Sequence, residues 1–215
     1  MVKKQIKAKI TNAELVKEKH KQIVEAASEL FLEKGFHKAS MRDIARESDI
    51  DLSYLYKYIS TKDDILYLFY DYITSQYEPI YRMIESAKDE DPLILLKRAL
   101  SLVMETIHNR AHEIQTLYTE TRHLQRDSLH TVLARESEFI KIVEDLISRG
   151  VKDGIFNTKD SFMAANIVQL IIVIESLRGW NFRDRYNFAD FTESIIDFIM
   201  AGLKVDEKKW QEIKK

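Results

Sequence analysis

The chain has 215 residues, 45% of them hydrophobic and 32% charged, with a formal net charge of −2; it can bury a core and is too apolar for a disordered polymer. It contains no cysteine, which excludes disulfides, thiolate nucleophiles and cysteine-based zinc sites. With only five glycines and two prolines among many Leu, Ile, Glu and Lys, the expected fold is all-α.

Charge is unevenly placed: residues 1–66 are weakly basic and the remainder is acidic. The first 21 residues hold seven lysines (3, 4, 7, 9, 17, 19 and 21) against Glu14 and Glu18. That end is either a modest phosphate binder or a solvated tail. It lacks the apolar core of a signal peptide, and the apolar stretch 167–174 is too short to span a membrane. A soluble cytoplasmic protein with no membrane partner is therefore expected.

Thr11-Asn12-Ala13-Glu14 is a capping-box pattern for a first helix. Ile23, Ala26, Ala27, Leu30 and Phe31 follow at helical period, and Gly35 supplies a stop onto which Phe36 can fold. Ser40 can cap a helix over 41–47, Asp51 one over 52–58, and Ser60 or Thr61 one that starts near Lys62. The fourth helix is predicted over 62–85, with Pro79 kinking or ending it. Asp91 as cap with Pro92 behind it starts another at 92–109. Further helices are predicted at 111–124, 127–149, 159–178 and 187–203, about nine in all, with Gly150 and Gly154 breaking the chain and Gly202 stopping the last.

Two short helices joined by Ser48-Asp49-Ile50 meet the demands of major-groove docking. Ala45 is small where the helices cross, Ile44, Ile50 and Leu55 face inward, and Leu52, Ser53, Tyr54 and Lys57 are left outward. Ile44-Ala45, Leu55-Tyr56-Lys57-Tyr58 and Lys62-Asp63-Asp64-Ile65-Leu66 then occur at fixed spacing. With Ala26-Ala27, Leu30-Phe31 and Gly35-Phe36 upstream, residues 20–66 resemble the DNA-binding signature of TetR-family transcriptional regulators. Asp49, Ser53 and Ile59 depart from the family's usual Gly, Gly and Phe.

The resemblance implies a three-helix helix-turn-helix domain over 11–66, joined by the fourth helix to a larger helical effector-binding and dimerisation domain over 67–215. It implies phosphate contacts from Lys38, Ser40 and Lys62, base-edge contacts from Leu52, Ser53 and Tyr54, and DNA-backbone contacts from Tyr56, Lys57 and Tyr58. An anion site at the start of the fourth helix fits Lys62. For Tyr56 and Tyr58 the alternative is core packing with the hydroxyl at an edge.

The remainder carries no phosphate loop, nucleophile elbow or His-Glu-x-x-His run, so no enzyme and no metal or cofactor is expected. His108 and His112 have ligand spacing but no evident carboxylate partner. Tyr70, Tyr77 and Tyr81 share a helical face, as core or as a cavity lining. Tyr118, Arg122, His123, Gly154, Arg178 and Trp180 are arranged as in TetR-type regulators that respond to acyl-CoA thioesters. That resemblance makes Tyr118, Arg122, His123, Arg178 and Trp180 candidate effector contacts; the alternatives are a local ion pair for Arg122 and a packing anchor for Trp180. Ile167, Leu170, Ile171 and Ile174 form one apolar stripe and Phe191, Ile195, Phe198 and Ile199 another. Two-fold pairing into a four-helix bundle would cover both, unless they pack within one body. The expected partners are operator DNA, a second copy and a small-molecule effector; the rivals are a helical protein-binding adaptor without DNA binding and, behind it, a small-molecule-binding enzyme, for which the sequence offers no polar constellation.

Overall fold

The computed structural model describes residues 6–214. Among them are twelve α-helices: α1 (Ala13–Lys38), α2 (Met41–Glu47), α3 (Leu52–Leu55), α4 (Lys62–Ser75), α5 (Glu78–Ser86), α6 (Pro92–His108), α7 (Ala111–Glu120), α8 (Arg126–Lys152), α9 (Ser161–Ile172), α10 (Ile174–Arg178), α11 (Phe188–Gly202) and α12 (Glu207–Lys214). Short 3-10 turns cover Thr121–His123 and Gly179–Asn181.

The count exceeds nine for three reasons. Pro79 has no N–H to give Ser75, so the predicted 62–85 helix ends and restarts across Gln76 and Tyr77. Val173 leaves helical geometry between α9 and α10 with no glycine or proline to mark it, bending the pair by 46°. α12 was not predicted, although Asp206 caps it by accepting from the Lys209 N–H. Among the described residues no single helix is long and apolar enough to cross a membrane; only the bent pair α9–α10 passes on length and composition.

Local chemistry accounts for most ends. The first helix is capped by Asn12, which accepts from the Leu15 N–H, one residue beyond the predicted box. Gly35 sits at φ 79°, ψ 158°, which a side chain would strain, and lets the Phe36 ring return to 5.3 Å from Phe31. Ser40 with Asp43 and Thr61 with Asp64 form reciprocal capping boxes.

Three helix ends share one device, a left-handed residue bracketed by two backbone bonds. After α2, Asp49 (φ 50°) and Ile50 donate to Arg46 O and Ala45 O. After α8, Gly154 (φ 70°) and Ile155 donate to Val151 O and Gly150 O. After α11, Lys204 (φ 56°) and Val205 donate to Ala201 O and Met200 O. Two predicted stops therefore move: Gly150 lies inside α8 with Gly154 ending it, and Lys204 rather than Gly202 turns the chain after α11.

Contacts divide the chain into two compact units, Met1–Gln76 with His112–Arg135, and Tyr77–Ala111 with Glu136–Lys215. In the first, α1 packs on α2 and α4, burying Ile23, Ala27, Phe31, Ile44, Leu55, Ile65 and Phe69. In the second, α6 is the hub and touches α5, α9, α10 and α11. Its buried Leu93, Leu95, Leu96, Leu100, Val103 and Ile107 point to more than one neighbour.

Candidate nucleic-acid interface

The interface is built on α2 and α3. Ile44, Ala45, Ile50 and Leu55 are buried behind them, as a steep two-helix crossing requires. Ser48 is buried at the turn; its hydroxyl donates to Ile44 O, and its carbonyl accepts from Gln22 Nε2 on α1 at 2.6 Å. Asp51 caps α3 by accepting from the Ser53 N–H and hydroxyl, which holds its carboxyl below the usual range. Asp43 is held well below it by the Ser40 N–H and hydroxyl and then by Lys34, 3.0 Å away. Both acids are thus committed locally. Beyond Leu55 the chain continues in tighter bonds, Lys57 N–H to Tyr54 O and Tyr58 N–H to Leu55 O, rather than as the α-helix predicted to 58.

Lys38, Ser40, Ser53, Tyr54, Tyr56 and Lys57 are exposed and Leu52 is half-buried. Lys57 Nζ lies 4.7 Å from the centre of the Tyr54 ring, so cation and ring are presented together. Tyr58 is different: it is wholly buried and edge-on to Tyr54 at 5.3 Å. The neighbouring Tyr54 hydroxyl and burial push its phenol up to about 12. Here the core-packing alternative describes the geometry.

Lys62 is bonded within its own unit. Its ammonium donates to Phe36 O at 2.6 Å, Ala39 O at 3.0 Å and His37 O at 3.3 Å, and lies 4.2 Å from the Phe36 ring. It closes the carbonyl end of α1, where a cation is favoured. Burial lowers its pKa, and Glu120 opposes that shift. Lys62→Met is expected to lower stability by about 1.5 kcal/mol, because charged hydrogen bonds are lost at a helix end. A urea midpoint indistinguishable from wild type would show that the ammonium is free for phosphate.

Three features of this unit escaped the sequence reading. Asp63, buried at the start of α4, accepts from the Gln125 N–H and the Ser128 hydroxyl, each at 2.6 Å. Arg135, buried on α8, pairs with Asp71 and donates to the Tyr67 hydroxyl at 3.2 Å. His37 meets His123 at 2.9 Å, and burial followed by His37 lowers the His123 pKa. Sequence separations above sixty residues explain why no local pattern announced them.

The predicted effector residues fall in both units. Tyr70, Tyr118, Arg122 and His123 belong to the first; Tyr70 is buried, Tyr118 and Arg122 are exposed, and Arg122 Nε donates to His123 at 3.1 Å. In the second, Tyr77 and Tyr81 flank Phe139 with ring centres 6.3 and 5.8 Å away, and burial raises the Tyr81 phenol. Arg178 lies 5.8 Å from the Trp180 ring, which is 71% exposed. A cavity of about 190 Å³ beside α11 and α12 is lined by Asp197, Met200, Val205 and Trp210, and by none of the predicted contacts. His108 has a carboxylate partner after all, Glu175 at 2.7 Å, and stacks on Phe188. Among the described residues no group of three or more His, Asp or Glu could hold a metal.

Of the predicted dimer residues, Ile167, Leu170 and Phe198 are exposed, and Ile171, Ile174 and Ile195 are half-buried. Phe191 and Ile199 are buried within their own unit. Phe162 and Met163, not predicted, extend the exposed apolar residues of α9.

Comparison with known proteins places this architecture. Residues 23–67 match the tetR family of bacterial regulatory proteins, and residues 89–180 match the tetracyclin repressor-like C-terminal domain. The HTH-type transcriptional regulator HbdR of Aromatoleum sp. (strain CIB) is 26% identical over 189 residues, 87% of this chain and 82% of that protein. A tetR-family regulatory protein from Rhodococcus RHA1 superposes with a TM-score of 0.78 at 17% identity, covering 88% of this chain and 99% of that one. AibR, solved in complex with isovaleryl coenzyme A and operator DNA, gives 0.71 at 18% identity, covering 86% and 97%. The chain belongs to the TetR family, as a helix-turn-helix transcriptional regulator.

Proposed function

We propose that this regulator is a cytoplasmic, ligand-released repressor, not an enzyme, that binds a palindromic operator as a homodimer. The carrying observation is the two-sided α2–α3 unit. Ile44, Ile50, Leu55 and Tyr58 are buried on one side, and Ser53, Tyr54, Tyr56 and Lys57 are exposed on the other. Leu52, Ser53 and Tyr54 face base edges; Lys38, Ser40, Tyr56 and Lys57 contact phosphates. Tyr58 supports Tyr54 from behind, and Lys62 holds the end of α1 against the same unit. In this reading residues 11–66 serve DNA and residues 67–215 serve effector and dimer, a functional division that differs from the two compact units.

Phe162, Met163, Ile167 and Leu170 on α9 and Phe198 on α11 are large exposed apolar side chains, which supports pairing through these two helices. The two recognition segments then stand about 34–36 Å apart, one turn of DNA. The effector is an acyl-CoA thioester, by analogy with the AibR complex; Tyr77, Tyr81, Arg178 and Trp180 are its first candidates for contact. Bound effector lowers operator affinity by a coupling free energy of about 1–3 kcal/mol.

Binding of the full-length chain to genomic fragments, its own upstream region included, tests the reading. Tyr56→Ala with Lys57→Ala is expected to weaken binding at least about tenfold while stability changes by under ~0.5 kcal/mol, since both are exposed. Undiminished binding by that variant refutes the assignment. Failure of isovaleryl-CoA and longer acyl-CoAs to release the DNA refutes the effector class.

A further inference from the structure

We infer that residues 6–10 form a second DNA contact, an extended arm whose Lys7 and Lys9 bind backbone phosphates flanking the bases read by α3. The inference rests on the DNA-binding reading above. The segment is not helical, and its burial alternates: Ile6, Ala8 and Ile10 are half-buried, Lys7 and Lys9 exposed. A period of two is that of an extended chain with one side against the body and the other outward. A solvated tail has no cause to seat every second residue.

The arm is tied at one defined place. The Lys9 N–H donates to Lys57 O at 2.7 Å. Carbonyls after a helix lack partners within it, and here Lys57 O is taken by the arm while Tyr58 O is taken by His20 Nε2 at 2.9 Å. The tie joins the arm to the residue whose ammonium stands over Tyr54. The backbone of Lys9 therefore lies against that of Lys57, with Lys7 two residues further along the arm, although Lys9 and Lys57 are forty-eight positions apart in sequence. Among the described residues no carboxylate pairs with Lys7 or Lys9, and Asp51, six residues before Lys57, is committed to capping α3. Cations held in extended backbone beside a recognition helix suit a phosphate track; they carry affinity rather than base preference.

The test uses duplexes selected by the full-length chain from a random-sequence pool. The variant Lys7→Ala/Lys9→Ala should keep the selected sequence preference and lose affinity. Its dependence of log K on log salt should be shallower by roughly 1.8, at about 0.9 per phosphate released. Trimming the duplex ends should weaken the wild type and leave the variant unchanged. Lys152→Ala/Lys159→Ala, which removes the same charge from exposed positions elsewhere in the sequence, should leave the slope as it is. An unchanged slope in Lys7→Ala/Lys9→Ala, or an equal drop in the control pair, overturns the arm while DNA binding stands. If the wild type selects no duplex, the functional reading itself fails. Thermal melting of both variants should match wild type, so loss of fold is separately visible.

Discussion

Asp63→Ala is expected to destabilise the protein by about 3 kcal/mol, because two hydrogen bonds to a buried carboxylate are lost and each contributes about 1.5–3 kcal/mol. Asp63 Oδ1 and Oδ2 take the Gln125 N–H and the Ser128 hydroxyl. Gln125 immediately precedes α8, so the carboxylate caps that helix from α4, where backbone N–H groups favour a negative charge. Ser128 is fully buried, so its hydroxyl cannot turn to water instead. Urea unfolding of the full chain measures the loss. Asp63→Asn keeps one acceptor and should fall between the two. Ser128→Ala, which leaves the Gln125 bond, should cost about 1.5 kcal/mol. A double-mutant cycle returning no coupling between Asp63 and Ser128 would falsify the buried hydroxyl–carboxylate bond. Hydrogen exchange at the first turn of α8 should rise in Asp63→Ala, because the N-terminal N–H groups there lose their anchor.

Gly150→Ala should cost about 2 kcal/mol net, against its helix propensity, which alone would add about 1 kcal/mol of stability. A β-carbon at Gly150 would lie 2.2 Å from Phe156 Cδ2 and 2.4 Å from Cε2. Phe156 is buried, and its N–H donates to Gly150 O, so the ring cannot move away cheaply. Overpacking of this kind costs about 1–3 kcal/mol, at times more, and here it exceeds the propensity gain. Gly150→Val should cost more. Phe156→Leu in the Gly150→Ala background should restore part of the loss by clearing the edge of the ring. If Gly150→Ala raises the urea midpoint, the close approach is not a constraint. The residue predicted to end α8 is instead the seat for the segment that follows its true end at Gly154.

These two sites show where sequence reasoning stopped. Ser40, Asp51, Thr61 and Asp91 were legible as caps because a cap acts within four residues. Pro79 was legible as a break because its ring and missing N–H act on its own turn. The outward set on α3 was legible because helical period and the family signature point the same way. Asp63 and Lys62 stand side by side in that signature, yet their partners lie 62 and 26 residues away. Residue type alone does not tell a phosphate contact from a structural ion.

The sequence by itself determined an all-helical chain, a helix-turn-helix at residues 40–66 and membership of a regulator family, since each follows from local chemistry or a contiguous signature. Tertiary structure decided which polar groups and rings find their place inside the protein. It turned Lys62 toward three carbonyls, buried Tyr58, committed Asp63 to α8 and tied the Lys9 backbone to Lys57. The physical reason is common to Lys62, Asp63 and the Lys9 N–H, whereas the buried Tyr58 hydroxyl has no hydrogen-bond partner among the described residues and its ring is held by packing. A polar group removed from water must find a partner, and packing brings that partner from distant parts of the chain.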